Sequence, residues 1–292
     1  MDENKENGTF VKIKNNFFDE FTPKELTALM LITIHDSNFR SQYIFTIDNI
    51  IKLMNTANTK REQKIIKDLL TKLKQNDYAK FYTSPFQDDK YIINNFESIK
   101  KDDFIYMIYS EDVNLEDEFI LIYDEEIHKI LTYDKEAINR YSLLEIFTYL
   151  IKHISNNALA EDYLLCYPSY KLMHEQLGLS ENTISKYIEV LQDINLIRCD
   201  YVGIEQLANG AVKNTKMYYC RTRDEKALIE RIEYERNSKG FIKLNKKAKD
   251  KINLKRSITQ RINYLENKLK QNTITETETI TLKELKAKYI EL

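Results

Sequence analysis

The chain has 292 residues, 42% hydrophobic and 31% charged, with 44 Lys+Arg against 46 Asp+Glu and only 5 Gly and 3 Pro. That balance excludes a disordered chain, and at ~100–200 residues per domain the length allows two domains and an appendage. No run approaches the ~20 consecutive apolar residues of a membrane helix, and the opening MDENKENG is acidic and polar, so the expectation is a water-soluble, cytoplasmic protein with no membrane partner.

The formal net charge of −2 excludes a uniformly basic coat for nucleic acid, yet it averages two unlike regions. Residues 101–136 hold 3 basic and 12 acidic side chains, whereas residues 241–270 hold 10 basic and 2 acidic. Cys166, Cys199 and Cys220 form no CxxC pair and sit in apolar, strand-like runs, which predicts buried free thiols in a reducing compartment.

In chain order, FTPKEL at 21–26 is a helix start: Thr22 caps, Pro23 suits the first helical position and Glu25 complements the positive helix end. The helix should run to about His35, with Leu26, Leu29, Met30, Thr33 and Ile34 inward and one wet face. YIFT at 43–46 reads as extended, followed by a helix from Asp48 to Met54, the break NTANT, and a helix from Lys60 to about Gln75. FYT and KYIIN, separated by SPFQDD, read as a hairpin.

FIYMIY at 104–109 and the start of FILIYDEEIHKIL at 119–131 are strand-like runs expected to pair with each other across an acidic loop, with a helix capped by Asp124 after them. A helix is expected over Tyr141 to Ile154, and DYLLCY at 162–167 is extended. Ser169 then caps a helix with Leu172, Met173 and Leu177 inward, Gly178 breaks it, and Ser180 caps a second helix with Ile184, Ile188, Leu191 and Ile194 inward. LIRCDYVG and TKMYYCRT are strands, with Asn209-Gly210 a turn pair between them.

From Asp224 the chain is charged and mainly helical, with a break near Ser238-Lys239-Gly240. Ile258, Ile262, Leu265 and Leu269 form a seam shorter than two heptads, suited to docking on the body or assisting a homodimer. TITETETIT at 273–281 alternates like a strand, or is a linker, before a short closing helix.

The order helix, strand, helix, turn, helix, hairpin thus occurs twice, and both copies read as winged helix-turn-helix domains. The expected fold is mainly α with small β-wings (α+β). It has a first winged domain at 10–96, an acidic connecting segment at 97–133, a second winged domain at 134–223 and a charged helical region at 224–292.

The run PSYKLMHEQLGLSENTISKYIEVLQDINLI resembles winged helix-turn-helix DNA-binding domains, in particular those of replication initiators and replisome organisers carried by plasmids and phages of low-GC Gram-positive bacteria. The matching features are the Pro-Ser start, the Leu-Gly-Leu-Ser turn, the Thr-Ile-Ser-Lys-Tyr-Ile helix start and the Leu-Ile strand entry. The first copy departs from the pattern, with no Gly in NTANT and with Lys60-Arg61-Glu62-Gln63-Lys64 in place of a small polar start. With both copies the resemblance covers about two thirds of the chain. It implies sequence-specific binding of double-stranded DNA, with host replication proteins as further partners.

A helix-turn-helix places the start of its second helix against base edges in the major groove. In the second copy that set is Asn182, Thr183, Ser185 and Lys186, with Glu181 a discriminating neighbour and Tyr187 either on the DNA backbone or partly buried. Asn pairs bidentately with adenine, Ser and Thr meet bases or phosphates, and Lys reaches guanine or phosphate. Lys213 and Lys216 of the wing would follow the backbone. In the first copy Lys60, Arg61, Gln63 and Lys64 form a basic cluster with Gln63 the base reader; the alternative is an ordinary solvated helix face.

The chain contains no GxxxxGK[ST], GxGxxG or HExxH motif, and no His has an i, i+3 or i+4 His partner. No cofactor, metal or catalytic residue is therefore expected, and the chain reads as a binding protein rather than an enzyme. An origin-binding initiator is the first reading. A transcriptional regulator on an operator is the second, and a protein-interaction scaffold built on winged helices is the third.

Overall fold

A computed structural model describes residues 9–34, 36–37, 42–110, 119–135, 137–206, 212–239, 241, 246–271 and 273–291. The fold is mixed α+β, dominated by helices with small antiparallel sheets. It forms two compact units: residues 1–200 with 217–231, and residues 201–216 with 232–292.

The first unit opens with β1 (Phe10–Lys14), α1 (Phe17–Glu20), α2 (Pro23–Ile34), β2 (Asp36–Ser37), β3 (Gln42–Phe45), α3 (Ile47–Leu53), α4 (Lys60–Gln75) and β4 (Ala79–Tyr82). β5 (Ile105–Tyr109) then enters the middle of a four-stranded sheet ordered β2-β3-β5-β4, with Tyr43 opposite Met107 and Phe81 opposite that same residue on the other side. The expected hairpin forms only in part: the Thr83 N–H donates to Tyr91 O at 2.9 Å and the Ile93 N–H to Phe81 O at 2.8 Å, but the ladder stops there. β4 takes its neighbour from FIYMIY, while KYIIN forms a 3-10 turn at Asp89–Tyr91 and an isolated bridge from Ile92 to Tyr82. The physical reason is length and period: FIYMIY alternates long enough to bury Ile105 and Met107 between two strands, which KYIIN cannot do.

β6 (Phe119–Tyr123) pairs with β1, from Phe10 opposite Tyr123 to Lys14 opposite Phe119, and not with FIYMIY as expected. FVKIK supplies the same period-2 face, with Val11 and Ile13 buried. α5 (Asp124–Leu131) starts at the expected Asp, but its first turn is secured by Glu126, whose carboxylate accepts the Tyr123 N–H at 2.9 Å.

The second half of the unit contains α6 (Arg140–His153), α7 (Tyr170–Leu177), α8 (Glu181–Asp193), β7 (Ile197–Tyr201) and, after an excursion into the second unit through β8 (Ile204–Gln206) and β9 (Val212–Asn214), β10 (Met217–Arg221). β10 pairs with β7 on one side and through Tyr219 with Cys166 on the other. The extended run DYLLCY thus reduces to single bridges. Ser169 accepts the Leu172 N–H at 3.1 Å, Gly178 ends α7 at φ 68, and Ser180 accepts the Thr183 N–H at 3.2 Å. Of the three inward residues expected on α7, only Met173 is buried; Leu172 is 39% exposed.

One continuous core runs through both halves, and the packed pair α2 and α6 lies within it. Residues 25–34 of α2 are buried on every side, so the expected wet face is absent. α3, α4, β1, β3 and α6 all pack against it, which is why the segment is apolar around most of its circumference. The three thiols are free, Cys166 and Cys220 buried, and burial pushes Cys199 up to about 11 and Cys220 to about 12, so they stay protonated.

In the second unit β8 and β9 pair antiparallel, and Asn209-Gly210 lies outside the described residues. α9 (Glu225–Lys239) crosses between the units; its Arg236 donates to the carbonyls of Val202 at 2.6 Å and Tyr201 at 3.0 Å. α10 (Lys246–Lys270) and α11 (Glu276–Glu291) pack together with ion pairs Lys268–Glu278 at 2.5 Å and Lys286–Glu266 at 2.7 Å. TITETETIT is therefore a helix start rather than a strand: Thr275 accepts the Glu278 N–H at 3.3 Å while Glu278 accepts the Thr275 N–H at 3.1 Å, a reciprocal capping box. No helix among the described residues is long and apolar enough to cross a membrane.

Candidate nucleic-acid interface

α4 turns Ile66, Leu69, Leu70 and Leu73 into the core, and its six cations divide by where they point. Lys72 pairs with buried Glu25 at 2.6 Å; Lys67 donates to Glu97 O at 3.0 Å and Lys74 to Ile93 O at 2.7 Å. Three cations are thus committed to the protein, the last two to the loop that returns from β4 to β5. Lys60, Arg61 and Lys64, at the start of the helix, are exposed and have no ion-pair partner among the described residues. This is the basic cluster read from the sequence.

Gln63 is placed differently from its expected outward position. Its amide donates to Asn58 Oδ1 at 2.7 Å, and Asn58 in turn donates to the Asp48 carboxylate. Lys52 lies 2.6 Å from Asp48 and, as its hydrogen-bond donor, holds that carboxyl below the usual carboxylate range. Gln63 is half-buried in this chain of contacts, leaving its carbonyl oxygen as the group with acceptor capacity to spare.

α8 buries Ile184, Tyr187, Ile188, Val190 and Leu191. Asn182 and Lys186 are exposed at its start, with Lys186 Nζ 3.5 Å from the Ala137 carbonyl. Thr183 and Ser185 are less available than expected. The Thr183 hydroxyl lies 2.8 Å from that of the cap Ser180, and the Ser185 side chain hydrogen-bonds Tyr170, whose phenol burial pushes up. Tyr187 is buried, its phenol oxygen accepting the Asn139 N–H at 3.0 Å. In the second unit Lys216 is exposed, and the Lys213 side chain lies outside the described residues.

Sequence reasoning missed the residues that tie the two motifs together. Arg140 Nη1 donates to Leu131 O at 2.7 Å and Nη2 to Asn55 O at 3.1 Å, and Asn55 Nδ2 donates to the same Leu131 carbonyl at 3.2 Å. Lys24 lies 4.9 Å over the Tyr141 ring and pairs with Glu62 of α4 at 2.6 Å. The one local signal was Asn139, a good cap before an apolar run, which accepts the Tyr141 N–H at 3.0 Å.

Elsewhere in the first unit, β10 is clipped to α5 and β6 by buried Arg221, which pairs with Glu126 at 3.1 Å and donates to Leu121 O. Clefts of about 620 and 450 Å³ flank that arginine, both also lined by Arg223. Among the described residues no group of three or more His, Cys, Asp or Glu side chains is arranged to hold a metal ion. No family model matches the chain, and neither does any curated protein or solved structure.

Proposed function

We propose that the chain is a sequence-specific double-stranded DNA-binding protein with two tandem winged helix-turn-helix motifs, α2 to β5 and α6 to β10, and that it initiates replication of a plasmid or phage by binding origin repeats and recruiting host replication proteins. The observation that carries this reading is the recurrence. With β2 and the β8-β9 pair set aside, each half runs helix, extended segment, helix, helix, strand, strand, and in each the last strand lies between the extended segment and the strand before it: β3-β5-β4 in one, the Cys166 bridge, β10 and β7 in the other. In both halves the second helix of the pair buries one face and presents side chains of its first two turns to solvent, where Lys60, Arg61 and Lys64 or Asn182 and Lys186 stand exposed.

A transcriptional regulator is the second reading, favoured by the clefts beside Arg221, which have the size of small-molecule sites. Selection of bound fragments from replicon and genomic DNA by the purified chain, with footprinting at two salt concentrations, separates the readings. Iterated repeats beside an origin are the expected result, and a single promoter-proximal palindrome would favour the regulator. The lack of any salt-dependent DNA affinity would overturn both and leave a protein-interaction scaffold.

A further inference from the structure

Two reading motifs in one chain can be joined loosely or held at one separation, and the connector here is tied at both ends. Asn139, Arg140 and Tyr141 are consecutive. The first donates its N–H to Tyr187 of α8, the second grips the turn between α3 and α4 through Asn55 O, and the third carries Lys24, the partner of Glu62 at the start of α4. Asn55 occupies the left-handed region at φ 52, which turns its amide onto the Leu131 carbonyl that Arg140 also binds. Behind this segment α6 packs on α2, so neither motif moves without breaking apolar contacts of the other.

We infer that the chain measures the separation of two half-sites, binding tightly only where both are presented at one spacing and one helical phase, with Arg140 and Asn55 as the positioning residues. The inference rests on the DNA-binding reading proposed above. A flexible linker would follow a half-site moved along the duplex. A fixed one cannot follow either a half-turn insertion, which places the second half-site on the opposite face, or a full-turn insertion, which moves it ~34 Å along the axis.

The test uses the full chain and a fragment that it selects for itself, with 5 or 10 base pairs inserted between the two protected halves. The expected result is a loss of at least about tenfold in affinity for either insertion, the equivalent of one well-made base contact. Arg140→Gln and Asn55→Gly should shrink that loss while leaving affinity for an isolated half-site unchanged; Gly suits the left-handed position, so the second variant keeps the turn if the first unfolds. Recovery of affinity at 10 base pairs, or tolerance of both insertions, overturns the inference while leaving the DNA reading standing. A full wild-type loss in both variants removes Arg140 and Asn55 from the role. Failure to select any sequence overturns the DNA reading and this inference with it.

Discussion

α4 and α8 occupy corresponding places in the two halves and differ in charge: α4 carries six basic and two acidic side chains, α8 one basic and three acidic. The supporting helices differ in the same sense. On α2, buried Glu25 is satisfied by Lys72 and by the Thr22 N–H at 2.9 Å, whereas on α6 the Glu145 carboxyl has no hydrogen-bond or ion-pair partner among the described residues, and burial pushes it up to about 7. The half with the weaker motif signature carries the basic helix start, and the half with the stronger signature has a polar helix start with little positive charge. Under the proposed DNA-binding reading, affinity and discrimination would be divided between the two helices, since phosphate contacts supply a large share of the binding free energy and base contacts carry the sequence information.

The largest test of that division removes the anchor. Replacing Lys60, Arg61 and Lys64 together with Ala should cost about 3 kcal/mol of DNA affinity at low salt and flatten the salt dependence by a slope of up to about 3, read from titrations across a salt series. An unaltered slope would break the comparison at its first term. Asn182→Ala should leave the slope alone and relax preference at one base pair by ~1–3 kcal/mol, measured against a panel of single-base variants.

Glu145 sharpens the contrast between α2 and α6. Its folded-state carboxyl lies above the ordinary value of 4.5, so the neutral form suits the fold, and stability should fall as pH rises through about 7. Glu145→Gln should abolish that slope and raise stability at pH 8 by about 2 kcal/mol in denaturant unfolding, a figure reduced for partial exposure. A variant that still loses stability over the same range would place the titration elsewhere. The smallest effect is at the caps: Thr59→Ala and Ser180→Ala should each cost ~1 kcal/mol, because each side-chain oxygen accepts a first-turn N–H, from Glu62 and Thr183 respectively. A difference between the two caps much beyond that would show that the helix starts are not equivalent.

Local chemistry made the helix pairs legible. Ser169, Gly178 and Ser180 each mark a boundary by one short interaction, and Lys60 to Gln75 matches α4 from end to end. The errors came where partners lie far apart in the chain. FIYMIY was a strand on any reading, but its choice of β3 and β4 over β6 depends on β1, whose five residues look unremarkable until Tyr123 lies opposite Phe10. TITETETIT satisfies a period of 2 and a capping box at once, and the packing of α11 on α10 decides between them. At the candidate interface the exposed cations were legible as a cluster, whereas Gln63 and Ser185 are engaged by Asn58 and Tyr170, pairings that helix periodicity cannot reveal.

The packing of α2 against α6, and of β1 against β6, bears on how the protein is made. A ribosome adding ~5–20 residues per second delivers α6 several seconds or more after α2 has emerged. Until then the flank of α2 that meets α6 has no cover, although α3, α4 and β1 are already made, and β1 itself waits for β6. The first half therefore waits on the second, so a message truncated between β6 and α6 yields a polypeptide with an open apolar seam along α2, a client for holding chaperones rather than a self-sufficient half-size domain.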